Sequence, residues 1–560
     1  MLTKQCVQCN KTFKIDDRDL EFYKKITVSQ PTHCPDCRQQ RRLAQINQLF
    51  LYSRKCNVTG KTLISNHHTD QPYPVYDSAY WHSDQWDPTE YGRDFDFARP
   101  FFEQWQELSR VVPRPALTTA YEFDQNSPYT NYAGKNKNCY MIFDSDENED
   151  CYYSYSLNSC KQCLDCYRSR KLELCYECVD CTECYGSWFL QDCVQCNFST
   201  LLKDCVDVSN SIMCVGLRHK EYYILNKPVA KEVFEKTLQD LKSRHNLKKY
   251  RQQFTDFVLK FPNKFMHGSQ NEKSFGDYLL HCQNASNCYD SSDLEKCSYI
   301  YQAFGNAKDS MDCDEIGMNA ELMYECTNVG YTSYGTQFSM DALSDIINVT
   351  YSDYCFHSQN LFGCIGMNKR KFCILNKQYS ESDYQQLRDK IIEHMRTTGE
   401  WGEFFPITTS SFAYNETLAQ SYYPLTELQA KNKGYHWRIQ VLPATSESQA
   451  VLPATAAEIT PELVKHIFTC IQCSRKYKFL SQELVMYQAA GIPLPTQCFY
   501  CRNTVRQQQR NPRQLWQRQC MCTQIDHNHQ GRCTNKFPTT YSPDRVELVY
   551  CEQCYQKEIY

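Results

Sequence analysis

The chain has 560 residues, 35 of them cysteine, and a formal charge of −4. A nearly neutral chain of this size is not a polyelectrolyte, so any nucleic-acid surface has to be local. No apolar run of about eighteen residues exists, which argues against a membrane-spanning helix. The opening MLTKQCVQCNKTFK has no apolar signal core, so a cytoplasmic setting is expected, with thiols reduced or metal-bound.

Residues 1–92 open with Cys6-x2-Cys9 and Cys34-x2-Cys37. Two such knuckles present four thiolates, which is a zinc-ribbon signature. Shifting the numbering by 464 reproduces the module as Cys470, Cys473, Cys498 and Cys501. The shift also carries Arg38, Arg42, Arg54 and Cys56 onto Arg502, Arg506, Arg518 and Cys520. The C-terminal copy, 463–560, adds Cys522, Cys533, Cys551 and Cys554, enough for a second site with one ligand open between Cys520 and Cys522. His527 and His529 are either a polar loop or substitute ligands. In the N-terminal copy Thr59, Asp77 and Tyr80 replace ligands, so Cys56 is expected to be a plain thiol. About three zinc ions per chain follow from these counts. The six arginines are either phosphate clamps for nucleic acid or a solvated helix face.

Residues 93–129 read as a helical, aromatic connector, with Pro100 opening a helix whose apolar face holds Phe101, Trp105 and Leu108. Residues 130–227 carry the densest pattern. Thirteen cysteines lie between 139 and 214, every gap a multiple of three. Neither a helix of 3.6 residues per turn nor a strand of period two keeps these on one side. A chain turning tight corners does, so a cysteine-rich β-solenoid is expected. Ser154, Ser169, Ser187 and Ser199, with the leucines three residues after each, share the cysteine register. The thiols are read as small core residues, as metal ligands or as disulfides, with packing preferred.

A helical cap is expected over 228–273. A second array over 274–377 closes with Ile374-Leu375-Asn376-Lys377, as the first closes with Ile224-Leu225-Asn226-Lys227. It has fewer cysteines, and its register slips between Cys297 and Cys355. Residues 378–438 form a second cap and extension, with a capping box at Ser380 and a stop at Gly399. Residues 439–462, with VLPAT twice, read as a linker.

The fold expected is therefore mainly β with helical caps: two cysteine-rich β-solenoid-like arrays flanked by duplicated zinc-ribbon, treble-clef-like modules. The segments 6–56 and 470–520, with C-x2-C, a Phe22-Tyr23 mid-segment and C-P-x-C-R, resemble the bacterial "probable zinc-ribbon" domain. The phrases YGRDFDFARPFFEQ, GEWGEFFP, FAYNETLAQ and YSPDRVELVYCEQCY resemble an uncharacterised cysteine-rich family of small-genome uncultivated bacteria. That resemblance implies zinc binding and no established activity. No P-loop, dinucleotide fingerprint or nucleophile elbow is found. The expected function is a non-enzymatic zinc scaffold with a protein partner. The alternatives are nucleic-acid binding through the arginine-bearing ends and thiol or metal handling by the arrays.

Overall fold

Parallel pairing at a fixed step organises the middle of the chain. In the computed structural model, which describes residues 1–341, 344–439, 451–527 and 529–559, one column of partners runs Tyr140, Tyr152, Leu164, Tyr176, Trp188, Thr200, Ile212. Each lies 12 residues after the last. The chain is β-rich, with cysteine clusters at both ends. Among the described residues no helix is long and apolar enough to cross a membrane.

The period of three has a backbone cause. Every third residue from Tyr132 to Leu225 has a positive φ. Residues other than glycine rarely adopt this left-handed conformation, and it persists only where surrounding bonds fix it. Here both neighbouring rungs supply those bonds. Tyr152 N donates to Cys163 O at 2.9 Å, and the left-handed Tyr153 donates back to Tyr140 O at 3.0 Å. Each triplet thus holds an inward residue, a paired residue and a corner.

The inward residue keeps an amide N–H that needs an acceptor inside the ladder. The side chain one rung earlier supplies it. Cys166 N donates to Ser154 Oγ at 3.0 Å, Cys160 N to Asn148 Oδ1 at 2.9 Å and Cys196 N to Cys184 Sγ at 3.4 Å. The thiols donate in turn to carbonyls: Cys181 to Val179 O at 3.2 Å and Cys175 to Cys184 O at 3.4 Å. This explains why Ser, Asn and Cys share one register: each is small and can both accept and donate.

The second ladder opens with 11-residue steps, from Gly268 to Leu279, passes to 12, as from Ser286 to Ser298, and ends with 12, from Gln359 to Lys371. Between these the step is 13, from Ser298 to Met311 to Tyr324. At one corner of the wider rungs Gly317 stacks on Gly330, where a Cβ on Gly317 would lie 2.5 Å from the Gly330 backbone. The register slip in the sequence is this wider rung.

Both ladders end on the same turn. Leu225 and Asn226, and Leu375 and Asn376, have positive φ, as a two-residue hairpin of the right twist requires. The chain folds back antiparallel at Ile224–Lys227 and Ile374–Lys377. Asn226 and Asn376 bond the backbone of Val215 and Ile365. The helix Glu381–Thr398 follows, with Ser380 accepting from Asp383 N and Gly399 left-handed, as its spacing predicts. Its buried Tyr384, Ile391 and Met395 share a core with Phe362 and Ile374. Of the expected linker, 440–450 lies outside the described residues. The part after Val451 is docked, with Arg244 N donating to Ala454 O at 3.1 Å.

The terminal modules are crossed. The helix Pro35–Leu43 rests on the second ladder: Arg38 Nε donates to Asp312 at 2.9 Å and Arg42 Nε to Asp314 at 2.7 Å. The helix Phe499–Gln508 rests on the first: Arg502 Nε and Arg506 Nη1 donate to Asp165 at 2.9 and 2.8 Å. Asp165 and Asp312 are both left-handed corner residues. Arg38 lies over the Tyr299 ring and Arg502 over Tyr153, so the two interfaces repeat each other.

Candidate metal centres

Each first knuckle is built the same way. The hairpin Leu2–Gln5 and Thr12–Ile15 closes so that Cys6 N donates to Lys11 O at 2.9 Å, leaving Cys6 and Cys9 in the turn. Cys34 caps the helix Pro35–Leu43 and Cys37 sits in its first turn, with proline opening the helix. In the C-terminal copy Cys470 N donates to Arg475 O at 2.9 Å, and Cys498 caps Phe499–Gln508.

The four sulfurs converge in both copies, all within 4.8 Å of one another. Cys9 to Cys34 is 3.7 Å, Cys470 to Cys501 is 3.7 Å and Cys473 to Cys498 is 3.6 Å. A tetrahedral ion with bonds of about 2.3 Å to sulfur has edges of about 3.8 Å, so the spacing fits a metal. The Cys37 thiol donating to Cys34 holds Cys34 down to about 5. Burial pushes Cys470 up, but the amides of Cys498, Cys473 and Gln472 bring it down to about 6. Other quartet thiols go up, Cys498 to about 11 by burial. In the arrays burial pushes Cys297 and Cys355 up to about 12. At Cys175 burial is outweighed by the thiols of Cys163 and Cys178, which bring it down to about 5. The geometry and not the titration therefore sets the quartets apart.

A third quartet is Cys520, Cys533, Cys551 and Cys554, all buried. Of the two cysteines left open in the sequence, Cys520 is the one that joins this quartet. Cys522 lies instead with His527 and Cys554.

The N-terminal copy shows the same scaffold without the ligands. Cys56 N donates to Lys61 O and Asn57 N to Val75 O; Cys520 N donates to Asn535 O and Met521 N to Val549 O. Asp77 N donates to Cys56 Sγ at 3.3 Å, and Cys551 N to Cys520 Sγ at 3.3 Å. Asp77 thus stands where Cys551 stands, as the alignment implied. Cys56 belongs to none of the convergent groups among the described residues. Aromatic packing of Tyr76, Trp81 and Tyr354 fills the site. None of the array thiols joins such a group either, and no disulfide forms among the described residues.

The arginines require a correction. Arg38, Arg42, Arg502 and Arg506 are no more than 5% exposed and are bonded to the carboxylates named above. Arg54 donates to the carbonyls of His67 and His68, and Arg518 to Ser542 O. Five of the six, all but the half-buried Arg518, face inward, because buried guanidinium groups need internal partners; those five do not form an exposed phosphate clamp. Their sequence pattern, four residues apart on a helix, is shared by a solvated face and a docking face, and only the carboxylates of the ladders distinguish them.

Beside these helices lies a cleft of about 610 Å³, lined by Phe50, Tyr422, Tyr423, Tyr500, Asn503 and Arg513 among others. Phe50 and Tyr500 stack at 4.9 Å, and Arg513 lies over Tyr422 at 4.1 Å. The Asn503 side-chain oxygen is buried without a hydrogen-bond partner. Sequence reasoning missed this cleft, since its residues come from both ends of the chain, from 415–424 and from Tyr167 of the first ladder. Compared with protein families and with curated proteins, the chain matches no family model and no curated protein.

Proposed function

We propose that this chain is a non-enzymatic zinc scaffold: two β-solenoids locked together by zinc-ribbon modules, presenting a cleft to a protein partner. The observation that carries the reading is the placement of the first quartet of each module at a docking helix. Cys34 and Cys498 cap the helices whose arginines four residues on, Arg38 and Arg502, reach the corner aspartates Asp312 and Asp165. Zinc here fixes the helix start and so the aim of those arginines. The 12-residue step, the corner in every third position and the closing turns support the solenoid reading. The cleft sits between the two docking helices. Its amides can pair with a peptide backbone while its tyrosines cover apolar side chains. The array thiols donate to backbone carbonyls, which supports a structural role over metal handling. The deciding experiment is native mass spectrometry of the full chain. At least three zinc ions should be retained and lost to a chelator, with unfolding of both ends; a chain that folds fully without zinc ends the proposal.

A further inference from the structure

The loop joining the two halves of the C-terminal module is longer than its N-terminal counterpart. The same backbone bond closes 520–535 in one and 56–61 in the other. The added residues carry Cys522, His527 and His529. They occur in the copy that kept its quartet and are missing from the copy that lost it.

Cys522 Sγ lies 3.2 Å from His527 Nδ1, and both lie within 4.8 Å of Cys554 Sγ. A tetrahedral zinc with bonds of about 2.3 Å to sulfur and 2.0 Å to nitrogen has a sulfur–nitrogen edge of about 3.5 Å. Cys522 is fully buried, and His527 is 9% exposed. The far nitrogen of His527 faces Asp526 and Glu558 carboxylates, each at 3.9 Å. A metal-bound imidazole commonly turns its other N–H towards a carboxylate; here both carboxylates are near that nitrogen but beyond hydrogen-bond reach. His529 shows the same polarity. Its Nδ1 is 2.9 Å from Gly531 O, and its Nε2 lies 3.5 Å from Cys554 Sγ.

We infer that the C-terminal module holds two metal ions, not one, sharing the Cys554 thiolate. Cys520, Cys533, Cys551 and Cys554 hold the first. Cys522, His527 and Cys554 hold the second, with His529 outside that convergent group. The inference rests on the reading that the quartet binds zinc. Loading the second ion releases the Cys522 proton to solvent. Two dications against five thiolates leave one net negative charge, less than the two left by a single ion on four thiolates. A simple thiol–imidazole hydrogen bond would account for the Cys522–His527 contact alone. It would not account for Cys554 lying within reach of both, nor for the carboxylates behind the imidazole.

The test is zinc-saturated full chain, desalted and counted by native mass spectrometry, with zinc X-ray absorption on the same samples. The wild type should hold four zinc ions. His527→Ala and, separately, Cys522→Ser should each hold three, and the nitrogen scattering should fall in His527→Ala. Cys551→Ser, which touches the quartet alone, reports on the underlying reading by its own loss. A wild type holding three ions, all coordinated by sulfur, with no change in His527→Ala, overturns the second ion and leaves the quartets standing. A count of two or fewer, unchanged by Cys551→Ser, overturns the quartet reading and this inference with it.

Discussion

Cysteines at the ends of this chain and cysteines in its middle meet different backbones. In the terminal modules a turn and a helix start aim four sulfurs at one point. In the ladders the thiols stand in rows, each bonded to a carbonyl. The difference teaches that cysteine spacing alone does not define a metal site. Cys175, Cys178, Cys181 and Cys184 repeat C-x2-C three times, yet successive positions fall on different sides of a rung. C-x2-C gathers ligands only where the chain between them folds back as a turn.

The comparison breaks most visibly at a quartet. Cys498→Ser should remove one zinc ion and unfold the surrounding module, because structural zinc contributes about 10–16 kcal/mol of apparent binding free energy. Zinc count and circular dichroism check this, and an unchanged count would mean that the quartet holds no metal. A second variant probes the joint between module and ladder. Asp165→Asn leaves Arg502 and Arg506 buried without their counter-charge, at a cost of about 3–5 kcal/mol. Urea unfolding should show it, with the zinc count unaltered. The smallest effect is expected inside the ladder. Cys181→Ala removes a buried donor and opens a small void, costing about 1–3 kcal/mol. Cys181→Ser keeps the hydrogen-bonding pattern and should cost less. If Cys181→Ser also lowered the zinc count, the ladder thiols would be ligands and the distinction would fail.

Several features were legible in the residues. The three-residue period needed only the gaps between cysteines. The duplicated knuckles needed only the 464-residue offset, and the replacement of Cys551 by Asp77 showed once the loop before it was allowed to shorten. The closing phrases Ile-Leu-Asn-Lys were visible as repeats, though not as hairpin turns whose asparagines bond the last rung. The choice between Cys520 and Cys522 stayed open because both lie near one turn. Their sulfurs point to different partners, and that depends on the loop holding His527.

Local spacing, then, determined which residues turn inward, which turns hold thiols and which copy lost its ligands, since these are properties of a few neighbouring dihedrals. The fate of the arginines, the crossing of the modules and the cleft between them were decided by tertiary structure alone. Asp165 and Asp312 meet helices more than 270 residues away in sequence. A charge's partner is set by what the completed fold brings beside it, and no local pattern encodes that distance.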